Sequence, residues 1–472
     1  MKRSRSAPVT VSIALLPVLT LAIAAPAQAG ICPAQLADGI ATEQAKFDRS
    51  RWGISIQTFD GESLYAQESD RFFIPASNVK LLTTAAALTQ LGADYRIRTS
   101  VYQSEDLLRV VGRGDPSVGD DQLLQLATQL RDRGIRRIDS MILDESTFAA
   151  EPINPSWEAG DLPYGYAAPV SSFIVNENAV TLRLIPQAIG DPLRLEWNNE
   201  FGAVLFNLIE NQSFTVAATE PEFIQVDRQR IRGQLQVDSP ADETSLSVPE
   251  PSLYFLDRWQ IALRSVGISL PEGVGLADRW LSPPDNEIEI AAIDSPPLSQ
   301  LLIPTNQESN NLYAESLLRQ VGIAAQPETD SPLQAGIAAI ESTLSQIGVD
   351  PEGFDLADGS GLSRHNLVTP EAIVQTLQAM SDSTVYRNSL AVAGESGTLV
   401  NRFQGTIAQG RLQGKTGAIS GVAALSGYLN PPNYEPIAFS ILVNHFDVPV
   451  REVRPSVDAI VLQLAQLEAC DD

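Results

Sequence analysis

A serine and a lysine lie three positions apart, at Ser77 and Lys80, where a predicted helix begins. This spacing puts both side chains on one helix face, so the lysine amine can reach the serine hydroxyl. The N-terminal end of the helix also supplies free N–H groups and positive potential. A neutral lysine could take the hydroxyl proton, and the helix end could stabilise an oxyanion. Taken alone, the same residues also fit a serine-capped helix with an exposed lysine.

Lysine is rare in this chain, which makes each position that keeps it informative. Residues 30–472 contain three lysines, Lys46, Lys80 and Lys415, among many more arginines. Arginine does not lose its proton in proteins, whereas a buried lysine readily does. A retained lysine is therefore a candidate for a deprotonatable amine or a compact point charge.

A second lysine motif, Lys415-Thr416-Gly417, precedes a strand-like segment at 418–425. The triplet would present a positive charge, a hydroxyl group and a bare backbone edge along one strand. Such an edge can pair with an extended peptide, while the lysine and threonine bind its terminal carboxylate. A simple turn entering a strand is the alternative for the triplet alone.

A third motif, Ser309-Asn310-Asn311, lies in the middle of a segment that we predict to be one helix, 301–321. By itself it fits a solvated helix face. The three motifs together, in this order, form the set found in serine β-lactamases and penicillin-binding proteins. The chain thus resembles the low-molecular-mass penicillin-binding proteins of the D-Ala-D-Ala carboxypeptidase/endopeptidase family with a large insertion. Segments 114–117, 358–364 and 393–406 are also similar to that family.

The resemblance implies a serine-type D-Ala-D-Ala carboxypeptidase that acts on peptidoglycan stem peptides through an acyl-enzyme and is inhibited covalently by β-lactams. Endopeptidase action on cross-bridges stays open, since both reactions use the same residues. No metal or organic cofactor is implied. The catalytic residues implied by motif position are Ser77 as nucleophile, Lys80 as general base, Ser309 as proton relay, Lys415 as the group that tunes Ser309, and Asn311 as a ligand of the substrate amide.

The resemblance also implies a substrate-binding strand. Thr416 would bind the substrate carboxylate, and Gly417 would continue the strand that binds the substrate. The backbone N–H groups of Ser77 and Ala418 would form the oxyanion hole.

Two further residues are weaker candidates for substrate binding. Asp144 lies where the family tends to place a group that binds the amine of a diamino-acid side chain, although a turn carboxylate is the alternative. Arg364 could hold the substrate or form a salt bridge that braces its glycine-rich loop.

The order of predicted elements indicates an α+β protein. Apolar spacing and turn residues predict a hairpin of strands at 51–59 and 63–67 and a helix at about 75–92 near the start of the chain. Near its end they predict helices at 333–347, 369–380 and about 453–468, and strands at 422–429 and 437–444. These segments flank a β-rich middle. We expect a DD-peptidase/β-lactamase-like catalytic domain, an antiparallel sheet flanked by helices, from residues 30–95 and 290–472. One or two accessory domains would be inserted at 96–289, with a nested β-only subdomain at about 176–245.

The first residues indicate export. Lys2, Arg3 and Arg5 precede an apolar run, and the small residues of Ala27-Gln28-Ala29 follow it, as in a signal peptide spanning 1–29. An uncleaved anchor is the alternative. No later segment approaches the roughly 20 apolar residues of a membrane span. We therefore expect a periplasmic or cell-wall location without a stable membrane span after cleavage.

The two cysteines lie near opposite ends of the exported chain. Cys32 and Cys470 are the only cysteines in the sequence. In an oxidising compartment they could form a disulfide that joins the termini, which often lie close together in domains. Two free thiols are the alternative.

Charge and composition exclude several function classes. The formal net charge is -26, which repels phosphate backbones and anionic lipids, so we expect no nucleic-acid partner. The only histidines, His365 and His445, leave no HExxH zinc motif, and two cysteines cannot form a zinc cage. We expect both histidines to be structural.

Two alternative functions stay open at this point. A β-lactamase shares the three motifs but needs a second base to hydrolyse its acyl-enzyme, and Glu341-Ser342-Thr343-Leu344-Ser345 comes near the class A pattern, with Ser345 in place of asparagine. A non-catalytic wall-binding relic of the fold is the other alternative, although such a protein tends to lose motif residues that this chain retains.

Overall fold

The computed structural model describes residues 30–148, 151–227, 229–270, 275–277 and 286–470. The predicted signal peptide at 1–29 lies outside these residues. The helices are α1 (Leu36–Gln44), α2 (Val79–Leu91), α3 (Asp120–Asp132), α4 (Glu200–Leu205), α5 (Pro251–Ser265), α6 (Leu298–Asn306), α7 (Asn311–Ala325), α8 (Pro332–Gln346), α9 (Pro370–Ala379), α10 (Thr384–Asn388) and α11 (Val450–Leu464).

The strands belong to one main sheet, to the insertion, or to a short two-stranded ribbon. They are β1 (Arg51–Thr58), β2 (Ser63–Gln67), β3 (Arg98–Ser104), β4 (Leu107–Val111), β5 (Ser140–Asp144), β6 (Ala179–Ile185), β7 (Arg194–Trp197), β8 (Glu210–Val216), β9 (Phe223–Val226), β10 (Arg230–Gln236), β11 (Asp242–Ser247), β12 (Gly275–Ala277), β13 (Ile288–Asp294), β14 (Phe354–Asp355), β15 (Leu367–Val368), β16 (Ala391–Val392), β17 (Leu412–Ile419), β18 (Val422–Leu429) and β19 (Ile437–Asn444).

The main sheet is antiparallel, in the order β16-β17-β18-β19-β1-β2. Successive side chains of a strand point to opposite faces. In β18, Ala424 and Tyr428 pack in the cluster formed with α2 and α6 to α9. Leu425 and Leu429 pack in the cluster formed with α1 and α11. Helices therefore cover both faces of this sheet, as expected for the catalytic domain.

The insertion contains more helix than its sequence pattern predicts. A five-stranded sheet, β12-β5-β4-β3-β13, pairs β5 in parallel with β4 and β12, and α3 and α5 bury apolar faces in the same cluster. Its last strand, β13, continues to Asp294 because it pairs with β3, past the predicted boundary at 290.

Two three-stranded sheets, β8-β10-β9 and β11-β6-β7, make up the nested part of the insertion. The prediction that 176–245 contains only strands is wrong, since α4 lies within it. The Asn199 side chain accepts a hydrogen bond from the Gly202 N–H and caps this helix. Both small sheets share a hydrophobic cluster with the five-stranded sheet.

The predicted single helix at 301–321 is two helices. The segment between α6 and α7 contains Ser309 with a φ of 62°, a left-handed conformation that breaks a right-handed helix. Asn310 then caps α7 by accepting a hydrogen bond from the Tyr313 N–H. The break places Ser309 at a corner instead of on a helix face.

The two ends of the described chain lie together. Cys32 and Cys470 form a disulfide with a Cα–Cα distance of 5.7 Å, beside a backbone bridge between Ile31 and Leu467. Among the described residues, none of the helices has both the length and the apolar character needed to cross a membrane.

Candidate active site

Ser77 lies in a tight turn, Ala76–Asn78, directly before α2. Ala76 has a φ of 47°, a conformation that non-glycine residues rarely adopt. The loop at 358–366, called the Asp358 loop below, packs directly on this turn. A Cβ atom on Gly361 would lie 1.9 Å from the Ala76 carbonyl oxygen, so only glycine permits this approach. The turn is thus held in one conformation from outside.

The Lys80 amine is fully buried and donates three hydrogen bonds. Its Nζ atom lies 3.1 Å from Ser77 Oγ, 2.6 Å from Asn311 Oδ1 and 2.6 Å from the Ser360 carbonyl oxygen. Three acceptors use all the donors of a charged amine. A neutral amine would instead present a lone pair, which could accept the serine proton.

Burial lowers the pKa of Lys80 to about 7, although the charges of Asp358 and Glu315 act in the opposite direction. Removing the amine from water disfavours its charged form. At neutral pH a substantial fraction of Lys80 is therefore uncharged, which is what a general base requires.

The buried Asp358 carboxylate organises its own loop. It accepts hydrogen bonds from the N–H groups of Gly361 and Ser363, each at 2.7 Å. The indole of Trp157, from the insertion, donates to it at 3.0 Å. A carboxylate with several donors fixes a turn more firmly than a neutral acceptor would.

Glu315 of α7 holds the same loop from the other side. Its Oε1 atom accepts hydrogen bonds from the N–H groups of Gly359 at 2.8 Å and Ser360 at 3.0 Å. Its Oε2 atom pairs with Arg319 at 3.1 Å in a fully buried ion pair. Burial, with the charge of Asp358, raises the pKa of Glu315 to about 6. These contacts fix the Ser360 carbonyl that accepts from the Lys80 amine.

A second buried amine completes the centre. Lys415 Nζ donates to Ser309 Oγ at 2.7 Å and to the Thr416 carbonyl oxygen at 2.8 Å. Burial, followed by the charge of Lys80, lowers the pKa of Lys415 well below its usual value. Thr416 Oγ1 lies 2.9 Å from Thr398 Oγ1. Two hydroxyl groups and an amine thus converge beside Ser309.

The strand that carries these groups has an open edge. β16 covers β17 only at Gln413 and Gly414, so within the described residues no strand pairs with this edge from 415 to 419. A Cβ atom on Gly417 would lie 2.8 Å from the Pro75 carbonyl oxygen, so glycine lets the strand approach the nucleophile turn. An extended peptide could add to this edge, directly beside Ser77.

Two cavities meet at the nucleophile. Each has a volume of about 360 Å³, and Ser77, Ser309 and Ala418 line both. The cavity named here the Thr416 cavity runs past Thr416 to α11. The Ser420 cavity runs past the other end of β17 to Ser420 and to the insertion. Together they form one groove along β17 with Ser77 near its middle.

The insertion supplies part of the Ser420 cavity. Glu158, Asp161 and Tyr166 line it together with Asn311. The Tyr166 carbonyl oxygen also accepts a hydrogen bond from Asn311 Nδ2 at 2.8 Å. The insertion therefore orients a residue of the central site.

Arg364 lies in the wall of the same cavity, where its guanidinium is engaged by protein groups. It donates to the Ser420 carbonyl oxygen at 2.5 Å and lies 3.1 Å from a Glu158 carboxylate oxygen. This placement fits the bracing salt bridge that the sequence left open beside a role in substrate binding.

The structure does not place Asp144 in the groove, so its predicted role in binding a substrate amine is wrong. Its side chain is 1% exposed and lies 2.5 Å from the Arg109 guanidinium. Its other carboxylate oxygen accepts from the Ser146 N–H at 2.9 Å. A carboxylate committed to a buried ion pair and a turn has no contact to offer a substrate.

Glu341 does not lie where it could act as the second base of a β-lactamase. This residue lies on α8, where its carboxylate is 3.4 Å from the Leu356 N–H, and it lines neither cavity.

In the described part of the chain, no group of three or more histidine, cysteine, aspartate or glutamate side chains is arranged to hold a metal ion.

A family model for the D-Ala-D-Ala carboxypeptidase 3 (S13) family matches residues 34–467. The chain belongs to this family. It is 34% identical to a D-alanyl-D-alanine carboxypeptidase from an Actinomadura species, over 98% of this chain and 91% of that protein. It is 27% identical to D-alanyl-D-alanine carboxypeptidase DacB from Haemophilus influenzae, over 79% of this chain and 81% of that protein.

Solved structures share the fold of this D-Ala-D-Ala carboxypeptidase. The crystal structure of penicillin binding protein 4 from Haemophilus influenzae aligns with a TM-score of 0.76 and 23% identity, over 90% of this chain and 98% of that one. A predatory peptidoglycan endopeptidase from Bdellovibrio bacteriovorus aligns with a TM-score of 0.52 and 15% identity, over 90% of this chain and 95% of that one. The alignments extend over the insertion as well as the catalytic domain.

Sequence analysis of this family member missed Glu315, Glu158, Asp161 and Tyr166. Glu315 follows Asn311 by four positions, so helical spacing places both on one face of α7, and this signal was available. The other three come from an irregular segment of the insertion, and their neighbours along the chain give no sign that they face Ser77.

Proposed function

We propose that this protein hydrolyses the amide bond between the last two D-alanine residues of peptidoglycan stem peptides, through an acyl-enzyme on Ser77. The observation that carries the proposal is the buried Lys80 amine, 3.1 Å from Ser77 Oγ and with a pKa lowered to about 7. The names of the Actinomadura and Haemophilus relatives support the same reaction.

In the acylation step, neutral Lys80 takes the Ser77 hydroxyl proton while Oγ forms a bond to the carbonyl carbon of the penultimate D-alanine. The N–H groups of Ser77 and Ala418 stabilise the oxyanion that develops on the carbonyl oxygen. The amide C–N bond then breaks. Ser309, hydrogen-bonded to Lys415 at 2.7 Å, relays the proton that Lys80 has taken to the leaving nitrogen. Lys80 is then neutral again, and D-alanine departs as the free amino acid.

Deacylation reverses the roles. Water attacks the ester carbon, Lys80 takes a proton from the water, and Ser77 Oγ recovers its proton as the acid product leaves. A β-lactam ring would enter by the same acylation. Its leaving nitrogen stays tethered to the acyl group and blocks the approach of water. The Haemophilus structure is also known complexed with a β-lactam, with a TM-score of 0.72 to this chain.

The substrate carboxylate would bind at the hydroxyl groups of Thr416 and Thr398 and at Lys415. In the free protein, burial and the charge of Lys80 lower the pKa of Lys415. A bound carboxylate favours the charged form of a neighbouring amine. Substrate binding would therefore keep Lys415 protonated, and leave Lys80 as the amine that stays neutral.

The Ser420 cavity would hold the upstream part of the stem peptide. Arg364 compensates the charge of Glu158 in this wall, so the Asp161 carboxylate leaves the cavity with one net negative charge, which favours a cationic side chain. We propose that this side chain is the amine of the third stem-peptide residue, the role that the sequence had assigned to Asp144.

We also propose that the protein works outside the cytoplasm, in the periplasm or cell-wall space. The disulfide between Cys32 and Cys470 supports this location, because such bonds persist in oxidising compartments.

The division into a catalytic domain and an insertion at 96–289 remains our proposal for the domain organisation. The extent of β13 moves the second boundary to about 295.

Labelling with a fluorescent penicillin tests the proposed nucleophile. We expect one label per wild-type chain, none in Ser77→Ala, and full labelling in the matched control Ser345→Ala, whose serine is exposed on α8. Mass spectrometry of digested muropeptides then identifies the reaction from the loss of one alanine from pentapeptides. Labelling that persists in Ser77→Ala, or pentapeptides that stay intact with the wild-type protein, would refute the proposal.

A further inference from the structure

The Thr416 cavity extends well beyond the space that a leaving D-alanine needs. It has a volume of about 360 Å³, within the range of pockets that hold small ligands. Ala423 and Ala424 of β18, with Val450 and Val457 of α11, form its apolar lining. The methyl side chain of alanine would fill little of this space.

The position of this cavity along β17 assigns it to the leaving side of the scissile bond. The proposed carboxylate ligands Thr416 and Thr398 line the Thr416 cavity and not the Ser420 cavity. The carboxylate belongs to the residue that leaves. Whatever is attached to that residue therefore enters the Thr416 cavity.

Two arginines in this cavity differ in their electrostatic state. Arg402 forms a two-pronged ion pair with Asp458 of α11, which neutralises its charge. Arg454, one helical turn before Asp458, also lines the cavity, and no ion pair or hydrogen bond engages its exposed side chain within the described residues. The Arg454 guanidinium is thus the uncompensated positive charge at the α11 end of the cavity.

We propose that the Thr416 cavity is a subsite for the side chain of the leaving residue, and that Arg454 binds a carboxylate on that side chain. The inference rests on the proposed function and adds to it a preference for peptides whose leaving D-amino acid carries a long acidic side chain. The bond that breaks is the same amide, and the leaving nitrogen takes its proton as before. Arg454 acts on specificity and takes no part in the chemistry.

Three synthetic peptides with the same acyl part test this subsite. Their leaving residues are D-alanine, D-norleucine and D-2-aminoadipate, so the last two compare a neutral with an acidic side chain. A charged hydrogen bond at a partly exposed site is worth about tenfold in kcat/KM. We expect the wild-type protein to prefer D-2-aminoadipate over D-norleucine by about this factor.

Matched variants separate the subsite from the reaction. We expect Arg454→Ala to abolish the preference for the acidic side chain, and Arg454→Lys to retain part of it. Arg451→Ala removes an exposed arginine of the same helix that does not line the cavity, and should keep the preference. Cleavage of all three peptides with a ratio that Arg454→Ala does not change would overturn the subsite alone. No cleavage and no penicillin labelling of the wild-type protein would overturn the proposed function and the subsite together.

Discussion

The titration of Lys80 gives the most direct test of the proposed chemistry. If neutral Lys80 is the base, the acylation rate constant must follow the uncharged fraction of this amine. Burial lowers its pKa from 10.5 to about 7, so the rate should rise with pH and then level off above neutrality. A pH series of acylation by a fluorescent penicillin, measured by stopped flow, gives this profile.

The expected change is set by the pKa. For an amine with a pKa of about 7, the neutral fraction rises about tenfold from about pH 6 to about pH 8. With the ordinary pKa of 10.5, the rise over the same interval would be about 100-fold, with no plateau. Since Lys80 and Lys415 interact, the measured midpoint belongs to the pair.

The chain supplies a matched control for this experiment. Lys80→Met should reduce the acylation rate by at least about 100-fold, the contribution of a general base. Lys46→Met removes an exposed lysine that pairs with Glu43 at 2.6 Å and lines neither cavity, so the acylation rate should not change. A rate that keeps rising about tenfold per pH unit through the alkaline range, or a Lys80→Met variant that reacts normally, would refute the role of Lys80.

Two further predictions concern the support of the site, and a third concerns the disulfide between the termini. Glu315→Gln removes a charge that raises the pKa of Lys80, so the rising limb of the same pH profile should move to lower pH; a move to higher pH would contradict this. Gly361→Ala should abolish penicillin labelling because its Cβ meets the nucleophile turn, whereas Gly348→Ala, also at positive φ but with open space, should label normally. Cys470→Ala should lower the free energy of unfolding by about 2–5 kcal/mol in denaturant titrations, and equal stability would show that the disulfide contributes nothing.

Much of the catalytic domain could be predicted from local sequence patterns. The spacing of apolar residues and the turn residues predict several elements that the structure confirms. They are the hairpin of β1 and β2, the helices α2, α8 and α9, and the last two strands. In each case one periodicity dominates over a long segment. The burial of α2 extends over every residue from Val79 to Ala87 and includes the polar side chains of Lys80, Thr83 and Thr84.

The errors have different physical origins. Between Ile303 and Leu312 the segment 301–321 has no apolar residue other than Pro304. The chain turns within this gap, where contacts of Lys415 and Asn310 hold the corner at Ser309. Helix α5 was not predicted, although Pro251 at its first position is a helix-start signal. The Asp144 assignment failed because position in a sequence motif does not reveal a buried partner such as Arg109.

The insertion contacts the side-chain amide of Asn311 in the active site. This contact constrains any attempt to exchange the insertion or the catalytic domain between relatives. The Tyr166 carbonyl orients Asn311, and Trp157 braces the loop that holds Lys80 in place. A chimaera that kept every motif residue but took this stretch from a distant homologue would lose the alignment of its base. Variation in the insertion is thereby coupled to turnover, and a compound wedged between Tyr166 and Asn311 could silence the enzyme without reacting with its serine.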